Sequence, residues 1–172
     1  RSVANHLNDI ARDHPDRVSD WLQRHLPGSP APRRALLRHA SRSLIKAGHG
    51  PTLAAWGLGV PLQGRAHFAL EAARAAIGSG IGLRVELVSG SDRPQALEID
   101  YALHHARPQR GHSVKVFKGW RCRLEAGAGL TLVKRHSLRE VTTRRLWPGP
   151  HRIELRINGQ TVAEAGFELT AP

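Results

Sequence analysis

Near the start of the chain a carboxamide and a carboxylate stand four residues apart, Asn5 and Asp9 in RSVANHLNDIARD. At that spacing both side chains lie on one face of a helix, one turn apart. A carboxylate beside an amide can stabilise a developing positive charge or orient a water. It can equally be an ordinary helix partner for Arg12 or Arg17, and the two positions alone name no reaction. Other chemistries find less support. Eleven histidines are present, but His104-His105 is the only close pair and neither HxxxH nor HExxH spacing occurs, so no metal is expected. The single cysteine, Cys122, rules out an internal disulfide and the usual Cys-based zinc sites. No glycine-rich phosphate loop and no G-x-S-x-G elbow occurs, and no cofactor is expected.

The second chemical feature is charge. The 172 residues carry a formal net charge of +12 with a pI near 11.5, which predicts a polyanionic partner and says nothing about fold. Between Arg107 and Arg156 thirteen Lys or Arg residues face three acids, Glu125, Glu140 and Glu154. The densest part is KRHSLREVTTRRLWPGPHR, where Lys134, Arg135, His136, Arg144 and Arg145 accompany Ser137, Thr142 and Thr143, whose hydroxyls suit phosphate oxygens. A smaller set, Arg38, His39, Arg42 and Lys46, recurs at spacings that put most of it on one flank of a helix. Alternating cations on exposed strands also protect sheet edges from aggregation, so any one of them also reads as plain surface. No apolar run reaches the length of a membrane span and no signal peptide is present, which fits a cytosolic protein without a membrane partner. The chain opens inside a helical pattern and contains no methionine, so it reads as part of a longer protein.

Two kinds of element must position these residues. The first part has helical spacing: residues 1–13, ended by His14-Pro15; Asp16 to Leu26; Pro32 to Ala47, capped by Gly48; and Thr52 to Trp56. Aligning Arg1 with Arg34 brings His6 onto His39 and Val3 onto Leu36, a period of about 33 residues in helix pairs that indicates a HEAT-like α-solenoid. A further helix is expected over Arg65 to Ile77, with GSGIG as a hinge. Beyond it the period becomes two, and INGQTVAEAGFEL reads as a hairpin turning on Asn158-Gly159. The expected fold is α+β in two domains: helical repeats over 1–78 and an immunoglobulin-like antiparallel β-sandwich over 79–172.

Three separated stretches, RSVANHLNDIARDHPDRVSDWL, RHASRSLIKAG and KVFKGWRCRLEAGAGLTLVKRHSLREVTTRRLWPGPHRIELRINGQ, resemble the C-terminal half of the AlkC-like DNA alkylation repair proteins. The resemblance covers nearly the whole chain in the family's order. It implies helical repeats that grip the duplex backbone, an immunoglobulin-like domain, and N-glycosylase action on 3-methyladenine and 3-methylcytosine in double-stranded DNA by a monomer of the bacterial cytosol. It also implies Asp9 as the active-site carboxylate with Asn5 beside it. Arg38, His39, Arg42, Lys46, Lys134, Arg135, His136, Thr143, Arg144 and Arg145 would contact DNA. A non-catalytic nucleic-acid-binding module, or a HEAT scaffold for acidic protein partners, would account for the same charge.

Overall fold

The computed structural model describes residues 2–107, 112–142 and 145–172. Five short helices come first: α1 (Ser2–Asp13), α2 (Pro15–His25), α3 (Ala31–Ala40), α4 (Arg42–Ala47) and α5 (Gly50–Ala55). Eight strands follow: β1 (Gly64–Leu70), β2 (Arg74–Ala76), β3 (Gly80–Ser89), β4 (Gln95–Ala106), β5 (His112–Leu124), β6 (Gly129–Ser137), β7 (Gly149–Ile157) and β8 (Gln160–Thr170). The chain divides into two compact units, Arg1–Pro61 with Asn158–Gln160, and Leu62–Ile157 with Thr161–Pro172.

The expected HEAT-like solenoid is not what this chain builds. Its described residues hold more strand than helix, and the helices are too few and too short for a stack of repeats. The expected third helix breaks at Ser41, whose backbone leaves helical geometry at φ −96° and ψ 7° while its hydroxyl donates to Leu37 O at 2.9 Å. Only six residues remain in α4 before Gly48 ends it in the left-handed region at φ 74°. The helices still form a packed unit. Ala4, Asn8 and Ala11 of α1, Val18 and Leu22 of α2, and Leu37 and Ala40 of α3 are buried, whereas Val3 is 61% exposed.

The helix expected over residues 65–77 is also replaced, by β1 and β2. RAHFAL satisfies a two-residue period as well as a helical one, and pairing decides: β1 lies antiparallel on β3 from Gly64↔Ser89 to Leu70↔Leu83. The first strand therefore begins at Gly64, well before residue 79. The sandwich has a three-stranded sheet, β1-β3-β6, and a five-stranded one, β2-β8-β7-β4-β5, in which β2 runs parallel to β8. The core between them takes Leu83, Val85 and Leu87 from β3, Ile99, Tyr101 and Leu103 from β4, and Ile153, Leu155 and Ile157 from β7. Each such buried aliphatic side chain contributes about 1.5–3 kcal/mol relative to exposure. The hairpin forms as its sequence requires: Asn158 and Gly159 both take positive φ, 49° and 79°.

One irregularity positions part of the charge. On β5, Trp120 pairs with Ile99 but Lys118 pairs with Asp100, leaving Gly119 as the extra residue of a bulge. Without it Lys118 and Trp120 would share a face; with it Trp120 packs against the core and Lys118 faces outward. The carbonyls released at the bulge are satisfied by Lys134 of β6, whose Nζ donates to Lys118 O at 2.9 Å and to Gly119 O at 3.1 Å. A Cβ on Gly119 would lie 2.6 Å from Ile99 O. Gly119→Ala is therefore expected to cost about 2 kcal/mol, read as a melting temperature lower by roughly 5 °C in thermal unfolding. An unchanged midpoint would show that the bulge tolerates a side chain.

Candidate nucleic-acid interface

In the helical unit three of the residues expected from sequence meet. Asn5 Oδ1 accepts hydrogen bonds from His39 Nε2 at 2.9 Å and from Arg42 Nη1 at 3.2 Å. The same Arg42 nitrogen donates to His39 O at 3.1 Å. Asn5 is thus a bracket from α1 that fixes a histidine and a guanidinium on α3 and α4. Asp9 is exposed one turn further along α1. Asn8, which also interrupts the apolar stripe, joins helices instead of facing a ligand. It is buried, and its Oδ1 accepts from Ser43 N at 3.1 Å in the first turn of α4.

Arg38 stacks on Trp56, its Cζ 4.9 Å from a ring centroid, and Arg34 approaches the same side chain at 5.7 Å. Trp56 Nε1 donates to Ser41 Oγ at 3.1 Å, which fixes the indole beneath the two guanidiniums. Sequence reasoning missed Arg34. The signal was there, since Arg34, Arg38 and Arg42 follow a four-residue spacing that puts all three on one flank. Lys46 is half-buried on α4.

In the sandwich the basic stretch disperses. Lys134 is half-buried, committed to the bulge carbonyls and 5.8 Å from the Trp120 ring centroid. Arg135 is exposed but oriented, with Nη1 on Glu71 Oε2 at 2.9 Å and Nη2 on Gly80 O at 3.0 Å. His136 does not face solvent as expected. It is 6% exposed, its Nδ1 lies 2.9 Å from Tyr101 Oη, and Phe117 packs edge-on at 4.6 Å. Strand alternation turns it inward between Arg135 and Ser137. Arg145 is exposed, 4.7 Å from the Trp147 ring. Thr143 and Arg144 lie outside the described residues.

Much of the remaining charge is neutralised within the five-stranded sheet. Its outer face carries three nearly buried carboxylates, Glu98, Asp100 and Glu154. Arg121 Nε reaches Glu98 at 2.9 Å and Lys118 Nζ reaches it at 3.7 Å. Glu154 Oε1 lies 2.8 Å from His104 Nε2 and 3.1 Å from Arg152 Nη2, and Glu154 Oε2 lies 2.8 Å from Arg156 Nη2. Burial alone pushes the Glu154 carboxyl upward, but the Arg156 hydrogen bond and the charges of His104, Arg156 and Arg152 outweigh it and hold the group below its ordinary range. A count of cations along the sequence could not reveal the pairing of Glu98 with Lys118 and Arg121 or of Glu154 with His104, because those partners sit on different strands; Arg152 and Arg156 flank Glu154 on β7 itself. Burial raises the Cys122 thiol, which disfavours thiolate chemistry, and pushes Tyr101 up to about 12.

Among the described residues no group of three or more His, Cys, Asp or Glu side chains could hold a metal ion. No helix among them is long and apolar enough to cross a membrane.

A two-sheet sandwich following a basic helical unit is the class that these elements define. Residues 65–171 match the family described as "Uncharacterised protein YhaZ, C-terminal Ig-like domain", and the chain belongs to that family. It is 29% identical over 174 residues to the Bacillus subtilis (strain 168) protein called Uncharacterized protein YhaZ, covering 98% of this chain and 47% of that protein. Among solved structures it is similar to the Pseudomonas fluorescens alkylpurine DNA glycosylase AlkC bound to DNA containing an abasic site analog. That likeness has a TM-score of 0.91 and 36% identity over 99% of this chain and 47% of the other. A β-glucosidase from Erythrobacter marinus, at TM-score 0.53 and 14% identity over 62% of this chain and 16% of its own, shares the fold alone. The chain spans about half the length of the YhaZ and AlkC relatives.

Proposed function

We propose that this chain is the duplex-holding portion of a cytosolic DNA glycosylase that removes cationic N-alkylated bases of the 3-methyladenine and 3-methylcytosine type. The observation that carries the reading is the likeness to AlkC, 36% identical with a TM-score of 0.91 over 99% of this chain. The chemistry is compatible with it. An N-alkylated base that already carries positive charge is a good leaving group, so the protein must chiefly stabilise an oxocarbenium-like sugar and admit water. An exposed carboxylate, Asp9, can do both. Asn5, one helical turn before it, holds His39 and Arg42. Arg38, Arg42 and Lys46 of the helical unit, with Arg135 and Arg145 of the sandwich, supply the cations for backbone phosphates; Lys134, held by the bulge carbonyls, adds only its charge, and Thr143 and Arg144 join them on sequence grounds.

A second reading, a non-catalytic DNA-binding module, is favoured by one observation: this chain spans 47% of its relatives, leaving room for the chemistry elsewhere. Two measurements test these readings. Duplex binding is expected to weaken steeply with salt, log Kd rising against log salt with a slope of about 3 or more, as several released counterions require. A slope near zero would remove phosphate contacts and both readings with them. Release of alkylated bases from methylated duplex DNA is expected from the full-length protein; tight, salt-dependent binding with no release would leave only the binding module.

A further inference from the structure

The sandwich has a polar cavity whose lining holds cations and hydroxyls but no carboxylate. Its volume is about 420 Å³, and it is lined by Gly78, Ser79, Gly80, Arg135, Ser137 and Arg139, where the turn between β2 and β3 meets the end of β6. We propose that this cup seats one backbone phosphate of duplex DNA, with Arg139 as the contacting cation. The proposal rests on the DNA-binding reading and assigns it a particular contact.

The ligand class follows from donors and acceptors. A phosphodiester accepts hydrogen bonds and donates none, so the cup must present donors. Arg139 is exposed and takes part in none of the ion pairs among the described residues. Its neighbour Glu140 is engaged elsewhere, accepting from Leu146 N at 3.0 Å. Ser137 Oγ lies 3.4 Å from Arg139 N as acceptor, which leaves its O–H to donate into the cup. Ser79 Oγ already donates to Ala76 O at 2.6 Å and offers only lone pairs. Arg135 is the second cation, held by Glu71 and Gly80 O, with a guanidinium set in place before any ligand arrives.

The glycines make the cup. Gly78 has φ +90°, and a Cβ there would meet nothing within 4 Å, so the turn leaves open space for a backbone to approach. A Cβ on Gly80 would lie 3.0 Å from Arg135 Nε and 2.9 Å from His136 O, so any larger residue would displace the guanidinium from the wall. Elsewhere in the sandwich Lys118, Arg121, Arg123, Arg152 and Arg156 all sit on carboxylates. Lys134 is turned to carbonyls. The cup sets Arg139, which has no such partner among the described residues, beside a second guanidinium and a hydroxyl donor.

The test is duplex binding by fluorescence anisotropy across a salt series, for the wild type, Arg139→Gln, Ser79→Glu and Arg93→Gln. Arg93 is an exposed cation outside the cup, so its loss controls for net charge. Arg139→Gln is expected to weaken binding about 5- to 10-fold at low salt and to reduce the log–log slope by about one. Ser79→Glu, which puts a carboxylate into the cup, is expected to weaken it further, and Arg93→Gln to leave the slope as it was. Thermal midpoints of the wild type, Arg139→Gln and Arg93→Gln should agree, since the positions are exposed, and Ser79→Glu is compared at a temperature well below its own midpoint because it gives up the bond to Ala76 O. A wild-type slope retained by Arg139→Gln, or an equal loss from Arg139→Gln and Arg93→Gln, overturns the cup while the DNA-binding reading stands. A wild type whose binding ignores salt overturns both.

Discussion

Asp9→Asn in the full-length protein is expected to reduce release of alkylated bases by about 100-fold or more while duplex affinity and the thermal midpoint stay unchanged. The size follows from the proposed role. A preorganised group aimed at charge that develops only in the transition state contributes roughly 10²–10³ in rate, and an amide of the same shape keeps the volume but loses the charge. The separation of rate from stability follows from location. Asp9 is exposed on α1, and exposed helix positions ordinarily change stability by no more than about 0.5 kcal/mol. Asn5→Ala should behave oppositely: it removes the acceptor Oδ1 that His39 and Arg42 share, and so loosens binding as well as rate. Single-turnover release on methylated duplex, with anisotropy on the same DNA, separates the two. Wild-type release from Asp9→Asn would take Asp9 out of the mechanism.

The pairing of Asn5 with His39 illustrates what a sequence can carry and what it cannot. The proline that ends α1 and the glycine that caps α4 are local events, each decided within a few residues, and each reads correctly. The step from helix pairs to a solenoid needs more, because a repeat is defined by stacking on neighbours. Ser41 ended that pattern by donating to Leu37 O instead of extending the helix. Residues 64–70 fail for a related reason. Ala66, Phe68 and Leu70 alternate as well as any strand, but small apolar residues also fit a helix, and only pairing with β3 decides between the two. The β-hairpin at Asn158-Gly159 was legible because a single dipeptide dictates its backbone. Charge was legible in amount and not in disposition. Arg121 and Glu98 are 23 residues apart in sequence yet 2.9 Å apart across two strands, and His136 reads as basic surface until strand parity buries it against Tyr101.

That disposition has a measurable consequence at Glu154. Its carboxylate is 9% exposed and receives His104, Arg152 and Arg156 together. Removing one member of such a buried group leaves the others uncompensated, at about 3–5 kcal/mol for a fully buried pair. Arg152 keeps a side chain 44% exposed to water, so the expected cost of Glu154→Gln is smaller, about 2–3 kcal/mol, or a midpoint lower by roughly 6 °C. Glu98→Gln should cost less, because its partners Lys118 and Arg121 are 52% and 59% exposed and regain water readily. The pH dependence has a definite sign. The folded state holds the Glu154 carboxyl below its ordinary value of 4.5, so the unfolded chain binds the proton more readily. The stabilisation is complete above that value and disappears as pH falls through the lower folded one. The gap in stability between wild type and Glu154→Gln should therefore be full at neutral pH and narrow progressively below about pH 4.5. Urea unfolding of both proteins from about pH 7 down to about pH 3 measures it. A gap that stays constant across that range would mean that the lost term is packing, and that the groups around Glu154 do not depend on its charge.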